Sequence, residues 1–161
     1  EQVWPYIHRQ CPDARLVLAG GRPAPDLLAH RGEDVGVTGY LPSLAPCYAE
    51  ADVFVAPVPA GGGLKFKVAQ AMLCGLPVVA TPIAAEGILD RAGPEIFGAV
   101  TDNPKTMAAS VASLLKDPER AAALGEAARQ WATQAWDFPA SEERIAALYS
   151  ALARGTSVPQ S

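Results

Sequence analysis

Three consecutive glycines, Gly61, Gly62 and Gly63, lead through Leu64 into a segment with lysines at 65 and 67 and a glutamine at 70. A glycine-rich bend that feeds a helix offers free backbone N–H groups and the positive end of a helix dipole, a combination that suits a phosphate. Cations are unfavourable in the first turn of a helix unless an anion is expected beside them. Lys65 and Lys67 therefore point to a phosphorylated ligand. At this spacing the two cannot share a helical face. Lys65, nearer the glycines, is expected to face the ligand and Lys67 the solvent. Gln70 carries an amide able to hydrogen-bond a sugar hydroxyl. The plain alternative is a flexible connector followed by solvated lysines and a surface glutamine.

Short apolar runs and helical patterns alternate around this segment, as they must to hold it at a sheet edge. Strand-like runs occupy 15–19, 35–38, 53–56, 77–80 and, more weakly, 97–101. Runs this continuous suit strands covered on both faces, as in a parallel sheet. Helical patterns fall near 1–11, 26–31, 43–51, 63–74 and 104–116. The alternation predicts an α/β, doubly wound, Rossmann-like domain over 1–154. Asn103-Pro104 and Asp117-Pro118 open two C-terminal helices, the second running through Trp131. Phe138-Pro139 precedes a third, with Ile145, Leu148 and Leu152 on one face. Residues 155–161 are small and polar and read as a fraying tail.

Ligands of open α/β sheets bind at the carboxyl ends of the strands. Those ends here carry Gly20 and Gly21, then Gly39, Tyr40 and Leu41, then Gly61 to Gly63, then Thr81 and Pro82. Several small-residue turns on one edge, with a lysine-bearing helix behind one of them, favour a nucleotide-like ligand. Glu86, after the strand at 77–80, is a further candidate for the same cleft. His8 and His30 have no carboxylate or Cys at useful spacing and read as non-catalytic. No Ser-His-Asp arrangement, metal cluster or Walker-type loop is present. No catalytic residue is assigned and no metal is expected. Trp4, Trp131 and Trp136 sit in apolar helical contexts and read as packing anchors.

The chain has 161 residues, half of them apolar, enough for one domain with its own core. A net charge of −4 argues against a nucleic-acid partner. Cys11, Cys47 and Cys74 are odd in number and unevenly spaced, which reads as reduced thiols in a cytoplasmic protein. Cys74, beside Ala71 and Met72, is expected to be buried. No stretch approaches a membrane span, and the N-terminus has no signal-peptide pattern. The chain starts without Met in a helical pattern, which reads as a piece of a longer protein.

Further stretches extend these motifs into one pattern: PDARLVLAG at 12–20, VTGYLP at 37–42, ADVFVAP at 51–57, GGLKFKV at 62–68 and AMLCGLPVVAT at 71–81. Together they resemble the C-terminal, donor-binding half of GT-B-fold retaining glycosyltransferases of the "group 1" family. AAEGI at 84–88 fits a branch that builds bacterial surface polysaccharides. The resemblance covers about residues 1 to 150. It implies a nucleotide-diphosphate sugar as donor substrate, with no metal or other cofactor. The diphosphate would lie at Gly61, Gly62, Gly63, Leu64 and Lys65. The base and ribose would lie near Gly39, Tyr40 and Leu41 and toward Gln70.

The sequence departs from that family in two ways. Two glutamates common in the family align on Gly62 and Gln70, so both carboxylates are missing; an amide forfeits the charge-assisted strength of a carboxylate. The family's donor half also begins with a strand and a basic loop that this chain lacks. In the doubly wound order that strand would lie between 15–19 and 53–56. Its absence leaves two strand edges, expected to pair with each other or with another chain, for example in a homodimer. The implied parent carries an N-terminal acceptor-binding domain and works in the cytoplasm, at the inner face of the membrane. The isolated chain is expected to be inactive. Other readings stay open: a non-catalytic nucleotide-binding or assembly module, a sugar-nucleotide epimerase-like GT-B domain, or a scaffold without ligand.

Overall fold

The computed structural model describes residues 2–63 and 65–136. The third C-terminal helix, the tail at 155–161, the domain limit at 154 and Leu64 lie outside the described residues. The elements in chain order are α1 (Trp4–Gln10), β1 (Leu16–Ala19), α2 (Pro25–Leu28), β2 (Val35–Gly39), α3 (Ala45–Ala49), β3 (Phe54–Ala56) and α4 (Phe66–Leu73). They continue with β4 (Val78–Ala80), α5 (Pro82–Ala85), α6 (Leu89–Ala92), a 3₁₀ turn (Pro94–Ile96), β5 (Ala99–Val100), α7 (Pro104–Lys116) and α8 (Pro118–Ala135). The alternation is that of an α/β doubly wound domain. The turns between 82 and 96 were not legible as helices, because each is too short to show a helical period.

Local chemistry starts and stops these helices. The Asn103 side chain accepts hydrogen bonds from the Lys105 and Thr106 amides, and the Asp117 carboxylate accepts one from Arg120. Each cap precedes a proline whose missing N–H costs nothing at that position. Helix α4 ends at Gly75, whose φ of 76° admits a left-handed turn. There the Leu76 amide donates to the Ala71 carbonyl and the Gly75 amide to Met72, satisfying two carbonyls of the helix end.

All strand pairings are parallel, but they form two sheets: β1 with β2, and β3–β4–β5. Strand β4 is central in the second sheet and fully buried. One core, containing Met72, Val78, Ala80, Ile88 and Phe97, lies on the side of that sheet covered by α4 and α8. The other gathers Val79, Met107, Val111 and Leu114 under α7, with Ile7 of α1. The first sheet is thinner. Leu16 and Leu18 share a face with the buried Val35 and Val37, whereas Val17 on the opposite face is 56% exposed. The expectation of strands covered on both faces therefore holds for β4 and fails for β1.

Strands β1 and β3 are not hydrogen-bonded to each other, so the expected pairing of the two edges with one another does not occur. The helix layer explains why. Helix α1, which leads into β1, packs on α7, and α7 packs on β4. Bringing β1 against β3 would pull α1 off that surface. His8 gains a carboxylate partner that chain spacing did not reveal: its Nε2 lies 3.6 Å from Asp34 Oδ2, across from α1 to the start of β2. The tryptophans pack as expected, with Trp131 and Trp136 edge to face at 5.1 Å.

Two contacts set the positions of α4 and of the strand ends. A Cβ built on Gly125 of α8 would lie 1.9 Å from the Gly75 carbonyl oxygen, so the α8 backbone rests directly on the turn that ends α4. The buried Thr81 hydroxyl donates to the Val58 carbonyl at 2.7 Å and accepts from the Ala84 amide at 3.2 Å. It thereby ties the exit of β3 to the exit of β4 and caps α5. We expect Gly125→Ala to destabilise the fold by about 3 kcal/mol, since backbone rather than a movable side chain must give way; thermal and urea melts would measure this. Thr81→Val, nearly isosteric, removes both bonds and is expected to cost about 2 kcal/mol. Hydrogen exchange at residues 57–63 should rise with it.

Candidate nucleotide site

The carboxyl ends of the strands gather the candidate residues along one edge, but not into one pocket. Gly61 and Gly63 adopt φ values of 124° and 76°, which few residues other than glycine tolerate. Nothing lies within 4 Å of a Cβ built on Gly61, Gly62 or Gly63, so the bend is open to solvent rather than covered. Among the described residues, the N–H groups of these three glycines have no hydrogen-bond partner. Helix α4 starts at Phe66 rather than at 63, because Gly63 has a positive φ and Lys65 a ψ of 88°, neither of which a right-handed helix can use.

Lys65 is the residue before the first turn of α4. Its ammonium donates to the carbonyls of Gly62 at 2.9 Å and Gly63 at 2.7 Å. Drawing those carbonyls toward Lys65 braces the bend with a local cation. Lys67 is exposed, as expected, and also lines a half-open cavity of about 450 Å³ together with Leu41, Ser43, Leu44, Tyr48 and Gln70. The cavity lies between the segment after β2, running into α3, and the exposed side of α4. Phe66 between the lysines is 72% exposed.

The other candidates are distributed as follows. Leu41 and Gln70 line the cavity. Gly39 ends β2 with a φ of 75°, and Tyr40 after it is 79% exposed. A Cβ on Gly21 would lie 3.6 Å from the Tyr40 side chain, so the segments after β1 and β2 touch. Gly20 has open space around it on the same edge. Arg22, not singled out from sequence, follows them with a φ of 52°, a backbone conformation uncommon for arginine. Glu86 caps the end of α5, is exposed, and is not among the cavity-lining residues.

Cys74 corrects an expectation: it is exposed and lines the cavity. It caps the C-terminal end of α4, between Leu73 and Gly75, where the chain turns away from the core that buries Ala71 and Met72. Tyr48, which sequence reading passed over, is buried at 8% exposure in the cavity wall. Its hydroxyl lies 3.5 Å from both the Lys67 carbonyl and Gln70 Oε1. Its apolar surroundings in α3 gave no hint of a polar task. Among the described residues, no carboxylate lines the cavity. Among the described residues, no group of His, Cys, Asp and Glu is placed to hold a metal ion, and no helix is long and apolar enough to cross a membrane.

In chemical terms this edge offers unpaired amides, two ammonium groups and a half-open cavity with hydrogen-bonding side chains. Such groups can bind an anion and orient a polar molecule attached to it.

Comparison with known proteins gives a consistent placement. Residues 1–117 match the family described as "Glycosyl transferases group 1". The chain is 34% identical to the GDP-mannose-dependent alpha-(1-6)-phosphatidylinositol monomannoside mannosyltransferase of Mycolicibacterium smegmatis, over 91% of this chain and 42% of the relative. It is 30% identical to the D-inositol 3-phosphate glycosyltransferase of Thermobispora bispora, over 85% of this chain and 35% of the relative. The chain thus spans about 40% of the length of the curated relatives it matches. Among solved structures, sucrose-phosphate synthase from Thermosynechococcus elongatus superposes with a TM-score of 0.72 at 22% identity, covering 96% of this chain and 42% of that one. That likeness establishes the GT-B type of fold. With its parallel α/β architecture and the match across residues 1–117, the chain belongs to the group 1 glycosyltransferases.

Proposed function

We propose that this chain is the donor-binding part of a glycosyltransferase that moves a sugar from a nucleotide diphosphate to an acceptor in polysaccharide or glycolipid assembly. The observation that carries the reading is the open bend at Gly61, Gly62 and Gly63, with unpaired amides beside a cavity lined by Lys67 and Gln70. The amides and the ammonium groups of Lys65 and Lys67 would receive the diphosphate. The cavity bounded by Leu41, Leu44 and Gln70 would receive the nucleoside. GDP is the preferred nucleotide, in keeping with the GDP-mannose dependence in the relatives' names.

The chain's share of the reaction is donor placement and charge stabilisation of the leaving diphosphate. Fixed amides and cations act where negative charge develops as the sugar–phosphate bond breaks. No metal or other cofactor is required for that share. Among the described residues no carboxylate lines the cavity, and the groups that place the acceptor and remove its proton would belong to an N-terminal acceptor domain of the parent protein. The isolated chain is then inactive in transfer. The edges of β1 and β3 would be completed by a strand of the parent or, in the isolated chain, by self-association. A cytoplasmic parent at the inner face of the membrane agrees with the phosphatidylinositol acceptor in a relative's name.

A second reading, a nucleotide-binding module without catalysis, is favoured by the same missing carboxylates at Gly62 and Gln70. Titrating the 161-residue chain with GDP and UDP while following amide spectra tests the shared core of both readings. GDP should shift the Gly61, Gly62 and Gly63 amides, and Lys67→Met should weaken binding about tenfold while flattening its salt dependence. Shifts confined to another face would refute the site. Transfer of labelled mannose from GDP-mannose by the full-length parent separates the enzyme from the module.

A further inference from the structure

Tyr48 stands out because its ring and its hydroxyl are used differently. The ring packs into the core beside Phe54, with centroids 5.9 Å apart, as any aromatic there would. The hydroxyl reaches the wall of the cavity, 3.5 Å from Gln70 Oε1 and 3.5 Å from the Lys67 carbonyl. A phenylalanine would fill the same core space without a polar group to satisfy. Gln70 is exposed on α4, where a long amide side chain is otherwise free to sample several rotamers.

We propose that Tyr48 is a positioning residue: its hydroxyl holds Gln70 by the side-chain oxygen, so that the Nε2 end faces the cavity as a fixed donor for a ribose hydroxyl. The ligand half of this proposal rests on the nucleotide reading above; the positioning half does not. Both groups near the phenol, an amide oxygen and a backbone carbonyl, are acceptors, so its single proton is directed toward them and shared between the two. Burial, with smaller contributions from the Cys74 and Cys47 thiols, raises the pKa of Tyr48. The phenol therefore stays protonated and able to donate across the neutral range. Fixing Gln70 in advance removes an ordering cost from ligand binding. It also makes up in part for an amide standing where a carboxylate would bind a hydroxyl more strongly.

Tyr48→Phe separates the two uses of the side chain, since the ring contact and the core volume remain. In the ligand-free chain, ¹⁵N relaxation of the Gln70 side-chain amide, assigned by its loss in Gln70→Ala, should report an ordered group that loosens in Tyr48→Phe. The intact chain should bind GDP about fivefold more tightly than 2′-deoxy- or 3′-deoxy-GDP, the worth of one hydrogen bond, and Tyr48→Phe should bring that ratio close to one. Melting curves check that the variant remains folded. An equally ordered Gln70 amide in Tyr48→Phe overturns the positioning role whether or not nucleotide binds. An unchanged ratio in a variant whose amide has loosened overturns the ribose contact. If the intact chain binds no nucleotide, the nucleotide reading and the ribose contact fall together, and the relaxation measurement alone decides the positioning.

Discussion

The hydroxyl of Thr81 holds the binding edge together. It belongs to a buried side chain and bonds two ways: to the Val58 carbonyl beyond β3 and from the Ala84 amide in the first turn of α5. The bond from Ala84 is buried and the bond to Val58 partly so, and breaking the first leaves a polar group unsatisfied in the interior. Through them the ends of β3 and β4 are locked together, and the chain leaves β3 in a defined direction. The glycine bend then projects from a rigid base, while its own residues stay open.

Placement of α4 is the second half of the arrangement. Its apolar side, Val68, Ala69, Ala71 and Met72, is buried, and its last turn is closed by Gly75 under the α8 backbone at Gly125. With the helix clamped at that end, its N-terminus and exposed side are set against the segment after β2. That leaves the cavity between Leu41, Leu44 and Gln70 as a consequence of packing rather than of any contact made by the cavity residues themselves. Lys67 and Gln70 need only stand on the side of α4 that the core does not use.

The two-sheet arrangement separates this rigid part from a looser one. Strand β4 is wholly buried and its neighbours share two cores, whereas β1 and β2 form a thin sheet with Val17 outward. The segments that would frame a nucleoside come from both parts: Leu41 follows β2, and Gln70 belongs to α4. The chain spans about 40% of the length of the curated relatives it matches.

The alternation of apolar runs with helical periods was enough to place the five strands, the helices at Pro104–Lys116 and Pro118–Ala135, and the glycine bend before α4. Those features depend on local periodicity, proline and glycine, which act over a few residues. The motifs also sufficed for the family. What spacing along the chain does not carry is which groups meet across it. The place of Lys67 at the cavity, the exposure of Cys74, the His8–Asp34 contact and the Tyr48 hydroxyl on Gln70 all join or orient residues through packing of separate elements. Local sequence determined the elements and the phosphate-suited bend because backbone preferences are short-ranged. Tertiary structure alone decided the cavity and its polar lining, because side-chain direction is set by whichever face of each helix the core has claimed.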